Sequence, residues 1–343
     1  MQLLRRRAYA RAGLVGNPSD GYNGRTISFI VRNLWAEVVL YEWDEIEILW
    51  SSEDQSRFPS IQALATDVRL HGYYGGVRLV KATIKRFVDY CNAQNIALHS
   101  RNFSIRYQSN IPRNVGLAGS SAIIVSTLRA LMDFYEVQIP LQVQPSLALS
   151  VETRELGITG GLQDRVIQCY EGLVSMDFSR ESMTSVNGYD CGVYERLDPA
   201  LLKNVYVAYC DEMGEPTEVI HNNIRQRYDR GDADVVAAMQ TFANLASEAR
   251  AALVTRDAPR LARLIDTNFD TRRSICQLHP GQIEMVQRAR SVGASAKFAG
   301  SGGAIVGTFA DEDMLAALQR ELETIRCVVI KPIVEPSGVP RTI

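Results

Sequence analysis

The spacing of hydrophobic and polar residues predicts β-strands in the first fifty residues. Thr26 to Val31 and Trp35 to Trp43 are rich in β-branched and aromatic side chains, and Glu45 to Ile48 alternates between charged and apolar positions. A period of two places successive side chains on opposite faces of a sheet. These segments therefore predict a β-meander, followed by a polar loop over Ser52 to Ser60.

The following segments alternate between helical and strand patterns. From Val77 to Cys91 apolar residues recur at helical spacing, with charged residues on the opposite face. Phe103 to Tyr107 alternates as a strand, and a segment rich in glycine and serine separates it from a second amphipathic helix. A third helix is predicted from about Ser146 to Leu156.

From Asn204 onward the pattern becomes mainly helical, and it begins with a predicted strand over Val205 to Tyr209. Together with the length of 343 residues, this change to a mainly helical pattern predicts an α+β chain of two domains, residues 1–202 and 203–343. The other elements predicted for this half are helices over 217–230, 233–254, 258–278, 281–292 and 313–324 and strands over 294–298, 304–309 and 327–330.

The composition narrows the class of protein. The chain has 37 Lys plus Arg against 39 Asp plus Glu, and this balance argues against a general nucleic-acid-binding or membrane-surface function. Its six cysteines and four histidines lack the paired spacing of metal ligands, and no apolar stretch approaches the ~18 residues of a membrane span. The basic start, Met1 to Arg7, lacks the apolar core of a signal peptide, so we expect a cytoplasmic protein.

The strongest local motif is IPRNVGLAGSSAI, residues 111–123, between a predicted strand and a predicted helix. Gly116 and Gly119 allow the backbone to approach a ligand closely, and Ser120 and Ser121 fall at the predicted helix start. Free amide groups at a helix start bind anions, most often phosphate. An ordinary glycine–serine turn with a serine cap explains the same residues.

Two other phosphate-binding motifs and one esterase motif do not fit. A P-loop needs a lysine, but none lies between Lys85 and Lys203, and the chain has only five lysines against 32 arginines. The loop spacing differs from the Gly-x-Gly-x-x-Gly dinucleotide fingerprint, which disfavours an oxidoreductase, and no Gly-x-Ser-x-Gly elbow is present. A phosphate at this loop must therefore be held by backbone amides and serine hydroxyls.

A second cluster of candidate residues lies in VETRELGITGGLQDR, residues 151–165. Glu152 lies on a predicted helix that ends at Gly157, and Asp164 follows a glycine pair. Carboxylates of this kind suit a magnesium ligand and a proton acceptor. A solvated helix face with a glycine cap is the alternative interpretation.

Two further segments are rich in glycine. Lys297 to Ala304, KFAGSGGA, joins two predicted strands and is equally typical of a hairpin turn and of a functional loop. Arg11 to Gly24, RAGLVGNPSDGYNG, is by itself typical of a loop.

Taken together and in this order, the four segments resemble the GHMP kinase superfamily of sugar and mevalonate kinases. The glycine–serine loop is similar to that family's P-x-x-x-G-L-x-S-S-A nucleotide loop. Glu152 and Asp164 stand at the same distances from Gly157 as the family's metal-binding Glu and catalytic Asp stand from a helix-ending glycine. Lys297 to Gly303 resembles the family's K-x-T-G-x-G-G motif, with Ala299 in place of the threonine.

Within this family, the chain resembles the branch that acts on uronic acids. Galactokinases carry Glu-His after the glycine of the first motif, where this chain has Asn17 and Pro18. The resemblance implies a two-domain GHMP kinase fold, with a ribosomal-protein-S5-like N-terminal domain and a ferredoxin-like C-terminal domain with extra helices. It also implies ATP and Mg²⁺ as cofactors, D-glucuronate as the sugar acid phosphorylated at its anomeric hydroxyl, no nucleic acid or membrane partner, and a monomer or homodimer. The segments that carry this resemblance are Arg7 to Asp20, Gly72 to Leu79, Gly161 to Val166 and Asn268 to Arg273.

The resemblance further implies a role for each candidate residue. Asp164 would orient or deprotonate the sugar hydroxyl, with Arg11 beside it, and Ser121 and Glu152 would hold the metal. The residues implied for ATP binding are Arg113, Asn114, Gly116, Leu117, Ala118, Gly119, Ser120, Ser121 and Ala122. The residues implied for substrate binding are Asp20, Asn17, Tyr74, Arg272 and Gly302.

A uronic acid also needs a partner for its carboxylate, and arginine is favoured because it binds carboxylates with two parallel hydrogen bonds. Other functions stay open, namely a kinase of the same family that acts on galacturonate, arabinose, galactose or a heptose phosphate, and a non-catalytic binding protein on the same fold. The candidates for the carboxylate partner are Arg225, Arg227, Arg272 and Arg273.

Overall fold

A computed structural model describes residues 3–49, 75–210 and 224–336, and its first sheet is built around one strand of 19 residues. The strands of this sheet are β1 (Leu3–Val15), β2 (Arg25–Trp43), β3 (Glu47–Ile48), β4 (Asn102–Ser109), β5 (Leu173–Asp177) and, later in the chain, β8 (Val193–Leu197). The long strand β2 pairs antiparallel with β1 over most of its length, with β5 through its first part and with β4 through its second part. A separate hairpin consists of β6 (Thr184–Val186) and β7 (Tyr189–Cys191).

The predicted β-meander is wrong in its connections. The two predicted strands over 26–31 and 35–43 form the single strand β2, because Tyr9 pairs with Trp35 while Ala10 pairs with Val31. This register shift keeps residues 32–34 within the strand, so no turn forms there. The segment β3 pairs with β4 in parallel and does not continue a meander.

The first glycine-rich segment is also not simply a loop. Its residues up to Val15 complete β1, and only the residues after them turn, with a short 3-10 helix over Ser19–Tyr22. The backbone of Arg11 is therefore fixed by a strand that pairs with β2 along most of its length.

Four helices in the described part of the first half cover this sheet, and the sequence predicts all of them except the last. They are α1 (Gly76–Ala93), α2 (Gly119–Phe134), α3 (Gln144–Ser150) and α4 (Gln163–Tyr170). Helices α2 and α4 pack against β1 and β2, and α1 packs against α2. The predicted helix over 146–156 is interrupted, because α3 continues into a π-helical turn over Val151–Glu155. That turn contains Glu152, and such turns often occur at functional sites.

The second sheet is antiparallel, in the order β10–β11–β9–β12, with strands β9 (Val205–Tyr209), β10 (Lys297–Phe298), β11 (Ala304–Thr308) and β12 (Val328–Ile330). Successive side chains of β9 lie in two different hydrophobic clusters. Val205 and Val207 belong to the large cluster that also fills the first sheet, whereas Tyr206 and Ala208 belong to a smaller cluster under the last helices. The two sheets therefore share one core.

The helices of the second half are α5 (Ala233–Val254), α6 (Ala258–Ile275), α7 (Pro280–Ser291) and α8 (Glu312–Glu323). Helix α5 packs on β2 and on α6, and α6 packs on β1 of the first sheet and on β10 and β11 of the second. Of the helix predicted over 217–230, only the part from residue 224 is described, and residues 224–229 are helical. The predicted loop over 52–60 lies outside the described residues. Within the described ranges, no helix is long and apolar enough to cross a membrane.

Candidate active site

A cavity of about 460 Å³ lies where the four glycine-rich segments meet. Its walls include Arg11 and Asp20 from the first segment and Glu152 and Asp164 from the second cluster. The glycine–serine loop and the loop after β10 form further parts of the wall. Residues that are far apart along the chain are thus brought to one cavity, as the resemblance implies.

The glycine–serine loop turns into α2 as the sequence predicts, but the serines do not cap the helix. The helix begins at Gly119, and its N-cap is Ala118, which has a left-handed backbone and makes no side-chain cap hydrogen bond. Without a side-chain cap, backbone amides at this helix start remain available to an anion. All residues predicted to bind ATP line the cavity except Ala122, which is fully buried in the hydrophobic core. The Ala122 side chain therefore lies away from the cavity wall, and its contact with ATP stays a prediction.

The pair Arg11 and Asp164 lies at the centre of the site. Arg11 Nε donates a hydrogen bond of 2.7 Å to Asp164 Oδ1, and Asp164 lies in the first turn of α4. Arg11 Nη1 also donates to the carbonyl oxygens of Gly116, at 2.5 Å, and Ala299, at 3.1 Å. One buried guanidinium thus joins the nucleotide loop, the second cluster and the loop after β10.

Asp20 holds the start of α4. Its Oδ2 accepts hydrogen bonds from the backbone amides of Leu162, at 2.8 Å, and Gln163, at 3.1 Å. Gly161 permits this approach, because a Cβ at that position would lie 2.5 Å from Asp20 Oδ2. Burial raises the pKa of Asp20 to about 6, and the nearby charge of Asp164 raises it as well, although the two backbone hydrogen bonds lower it. Asp20 therefore gains its proton at a pH well above that of an ordinary aspartate.

The predicted metal ligand Glu152 has a partner that the sequence did not suggest. Glu152 forms an ion pair with Arg165, and both side chains are almost completely buried. Arg165 Nη1 also donates to the carbonyl oxygen of Gly161, at 2.5 Å. Ser121 and Glu152 both line the cavity. No group of three or more His, Cys, Asp or Glu side chains in the described ranges could enclose a metal ion, so any metal here depends on few protein ligands.

The loop after β10 contacts the nucleotide loop. A Cβ on Gly300 would overlap the Gly116 carbonyl oxygen, so the two backbones meet without any side chain between them. Arg272 supports this loop, with Nη1 donating to the Gly300 carbonyl at 2.6 Å and Nη2 to the Ser301 carbonyl at 2.8 Å. Burial lowers the pKa of Arg272.

Lys297 lies beneath this loop and is almost completely buried. Its Nζ donates to Gly13 O at 2.6 Å, to Asn17 Oδ1 at 2.5 Å and to Phe298 O at 2.9 Å. Three acceptors take the three protons of an ammonium group. Burial lowers the pKa of Lys297 well below its usual value, and the charges of Arg272 and Arg11 lower it further. The lysine joins the first motif to the second sheet.

Only some of the residues predicted to bind substrate line the cavity. Asp20, Asn17 and Arg272 line the cavity, although the Asn17 side-chain oxygen already accepts from Lys297. Gly302 is not part of the cavity wall formed by the described residues and lies close to the Gln282 side chain, so its contact with substrate stays a prediction. Tyr74 lies outside the described residues.

Sequence reasoning missed Gln163 and Arg165 as site residues. Gln163 Nε2 donates to Asp20 Oδ1 at 3.4 Å, and its Oε1 accepts from Ser28 at 2.7 Å. Both residues flank Asp164 in the motif, and a polar residue on each side of a candidate catalytic residue is the signal that could have found them.

Comparison with known proteins shows which protein family this chain resembles in fold and in sequence. The family model described as the GHMP kinases N terminal domain matches residues 78–172. The crystal structure of mevalonate kinase from Methanococcus jannaschii superimposes with a TM-score of 0.71 and 19% sequence identity, over 96% of this chain and 97% of that chain. This similarity confirms the predicted two-domain α+β fold of the GHMP kinases.

Two relatives in Arabidopsis thaliana extend the comparison to sequence. Glucuronokinase 1 is 44% identical over 310 residues, 88% of this chain and 84% of that protein. Probable glucuronokinase 2 is 46% identical over 308 residues, 88% of this chain and 82% of that protein. The chain therefore belongs to the GHMP kinase family, and it is a phosphotransferase.

Proposed function

We propose that this protein transfers the γ-phosphoryl group of ATP to the anomeric hydroxyl of D-glucuronate, which gives glucuronate 1-phosphate and ADP. The substrate is inferred from the two glucuronokinases to which the chain is similar. The observation that carries the chemistry is the ion pair of Arg11 and Asp164, because it lies in the cavity between the nucleotide loop and Asp20.

In this proposal, the amides at the start of α2 bind the ATP phosphates, and the sugar lies against Asp20. Asp164 accepts a hydrogen bond from the anomeric hydroxyl and orients it for in-line attack, and Arg11 stabilises the charge that develops on the transferred group. A loose phosphoryl-transfer state depends chiefly on positioning and charge neutralisation, which suits a site built on a strand and two helix starts.

The oxygen atoms of Ser121 and Glu152 suit Mg²⁺, provided that Glu152 can bind the ion and Arg165 at the same time. Magnesium in kinases is bound by one or two protein oxygens together with phosphates and water, and Ser121 and Glu152 supply such oxygens. When bound, the ion would neutralise charge on the β- and γ-phosphates. The condition is that Glu152 must share its carboxylate between the ion and Arg165. Arg165 thereby fixes the orientation of Glu152.

We also propose the domain division that the sequence predicts. Residues 1–202 form the domain with the nucleotide loop, and residues 203–343 form the domain that contributes Lys297 and Gly300. The cleft between them holds the two substrates.

A panel of sugars with Mg-ATP tests the proposed substrate. ADP release is measured with D-glucuronate, D-galacturonate, L-arabinose, D-galactose and a heptose phosphate at equal concentrations. We expect the largest kcat/KM for D-glucuronate. Turnover of a neutral sugar with none of glucuronate would refute the proposed substrate and leave the family assignment intact.

The variant Asp164→Asn tests whether the protein is an enzyme or a binding protein on the same fold. Removing the negative charge and the basic carboxylate oxygen is expected to lower kcat by about 10²- to 10⁴-fold, while ATP binding measured by calorimetry stays within a few-fold of the native value. The matched control is Asp313→Asn, an exposed change on α8. Equal turnover by Asp164→Asn and the native protein would remove Asp164 from the mechanism.

A further inference from the structure

A sugar carboxylate buried in the cavity needs cationic hydrogen-bond donors, because an unpaired charge in such a place is costly. Among the described residues that line the cavity, no lysine or histidine occurs, and every cation is an arginine. The arginines of the cavity wall are Arg11, Arg113, Arg165, Arg225 and Arg272.

Three of these arginines already hold protein groups. Arg11 binds Asp164 and two carbonyl oxygens, Arg165 binds Glu152 and the Gly161 carbonyl, and Arg272 binds two carbonyls of the loop after β10. Each is at most 5% exposed, so none can turn toward a ligand without leaving a buried acceptor unpaired. Arg113 belongs to the nucleotide loop, where the ATP phosphates are proposed to bind.

Arg225 differs from the others in exposure and in position. Its side chain is 41% exposed, and its nearest carboxylate in the described ranges is Asp229, at 3.9 Å, which is beyond hydrogen-bond distance. Its Nη2 donates to the Gly21 carbonyl at 2.5 Å, and its guanidinium lies 4.2 Å above the Tyr22 ring. These two contacts fix the guanidinium against the two residues that follow Asp20 in the chain, on the wall of the cavity that Asp20 also lines, and still leave other N–H groups for a ligand.

We infer that Arg225 binds the carboxylate of the sugar acid and selects it over neutral sugars. This inference rests on the proposed function, and it assigns the carboxylate to Arg225 in preference to Arg272, Arg227 and Arg273. Arg227 is held by Asp232, Asp234 and the Ile275 carbonyl, and neither Arg227 nor Arg273 belongs to the described wall of the cavity.

If Arg225 binds the carboxylate, the site prefers a negatively charged sugar acid to a neutral sugar. A guanidinium stacked on an aromatic ring keeps its plane, so its remaining N–H groups can bind both carboxylate oxygens. A sugar with a hydroxymethyl group at the same carbon accepts far less from these donors. Arg225 is thus a specificity-determining residue and takes no part in phosphoryl transfer.

The test compares Arg225→Gln and Arg225→Lys with the native protein, using D-glucuronate and D-glucose, which differ only at C6. Arg230→Gln is the matched control, since it removes the same charge from an exposed side chain that does not line the cavity. We expect Arg225→Gln to raise KM for glucuronate roughly 10- to 100-fold, as for loss of hydrogen bonds to a charged group. We expect kcat to change by less than about threefold, because the interaction is equally strong in the ground and transition states. Calorimetry should show the same loss of affinity for D-glucuronate and an unchanged affinity for D-glucose.

Several results would overturn the inference. An unchanged KM for glucuronate in Arg225→Gln refutes it and leaves the proposed function intact, and so does an equal rise of KM in Arg230→Gln. A native protein that binds D-glucuronate no more tightly than D-glucose also refutes it, whichever sugar is phosphorylated. If circular dichroism shows that Arg225→Gln does not fold, Arg225→Lys is measured in its place. A raised KM of Arg225→Lys for glucuronate supports the inference, and a KM equal to that of the native protein contradicts it. Failure of the native protein to phosphorylate glucuronate, with tight and Arg225-dependent binding of this acid, refutes only the proposed reaction.

Discussion

At the scale of single residues, the site depends on buried groups with several partners. Asp20 shows this best, because one carboxylate holds the start of the helix that carries Asp164 and also faces the proposed sugar site. Its raised pKa follows from burial and from the charge of Asp164. The same proton therefore affects substrate binding, helix position and stability.

The pKa of about 6 predicts a pH dependence for substrate use. As pH falls through about 6, Asp20 gains a proton and loses part of its capacity to accept hydrogen bonds from the sugar. We expect kcat/KM for D-glucuronate to decline below this pH, and we expect the decline to be absent in Asp20→Asn, whose activity is low throughout. Initial rates between about pH 5 and 8 measure this, and a native profile that is flat across pH 6 would contradict it.

The same group predicts the sign of a stability change. Between the ordinary pKa of an unfolded aspartate and about 6, the folded protein keeps the proton that the unfolded chain has released. The stability of the native protein relative to Asp20→Asn should therefore fall as pH rises through this window and then level off above it. Thermal unfolding of both proteins at several pH values tests the sign, and a gap that moves in the opposite direction would refute the assignment of this pKa.

At the scale of elements, two loops meet without side chains between them. The glycine–serine loop and the loop after β10 touch at Gly116 and Gly300, and the Arg11 guanidinium lies against the same point. The contact fixes the distance between the nucleotide loop and the second sheet. It depends on the absence of a Cβ.

The variant Gly300→Ala is expected to disturb the nucleotide loop. The new methyl group would overlap the Gly116 carbonyl and approach Arg11 Nη1, so one of the two loops must move. We expect KM for ATP to rise and kcat to fall, each by about tenfold or more, because a displacement of about 1 Å at a reacting group can cost that much. The control is Gly188→Ala in the hairpin of β6 and β7, where a Cβ meets nothing within 4 Å; its φ of +78° disfavours alanine, so this change is expected to lower stability but should leave both kinetic constants unchanged. Normal activity in Gly300→Ala would show that the loops tolerate separation.

The sequence predicts the helices, the strands and the order of the motifs better than it predicts which strands and which side chains pair. Helix α1 and strands β4 and β9 follow from local periodicity, and so does the helix that starts after the glycine–serine loop. The continuity of β2 could not be predicted, because it depends on a register shift in its pairing with β1. The Glu152–Arg165 pair was also hidden, because a glycine-rich turn between the two residues removes any regular spacing. Contacts such as Lys297 with Asn17, 280 residues apart, have no local signal at all.

At the scale of the whole molecule, polar bridges tie the first motif to the second sheet. Lys297 holds Gly13 and Asn17, and Asn268 of α6 accepts from the Gly16 amide at 2.6 Å and donates to the Asn17 carbonyl at 3.1 Å. Together with the shared hydrophobic core, these bridges hold the two sheets in a fixed relative position, and the geometry of the site depends on that position.

The variant Lys297→Met is expected to destabilise the whole protein. It leaves three buried oxygen acceptors without their donor, so we expect the free energy of unfolding to fall by about 3 kcal/mol or more. Urea denaturation measures this change. The control is Lys331→Met, an exposed lysine paired with Glu312, whose loss should cost less than about 1 kcal/mol. Equal stability of Lys297→Met and the native protein would mean that the lysine does not hold the sheets together.

The meeting of Gly116 with Gly300 has a consequence for how the enzyme is made. The chain is synthesised from its N-terminus, and the first sheet can begin to form while later residues are still being added. The Arg11 guanidinium, however, cannot reach the Ala299 carbonyl, nor can the nucleotide loop reach Gly300, before the ribosome has released that part of the chain. A nascent or truncated chain that ends before β10 therefore contains the predicted catalytic residues and lacks the completed site. Cells would gain phosphotransfer activity only after β10 and the loop that follows it have left the ribosome.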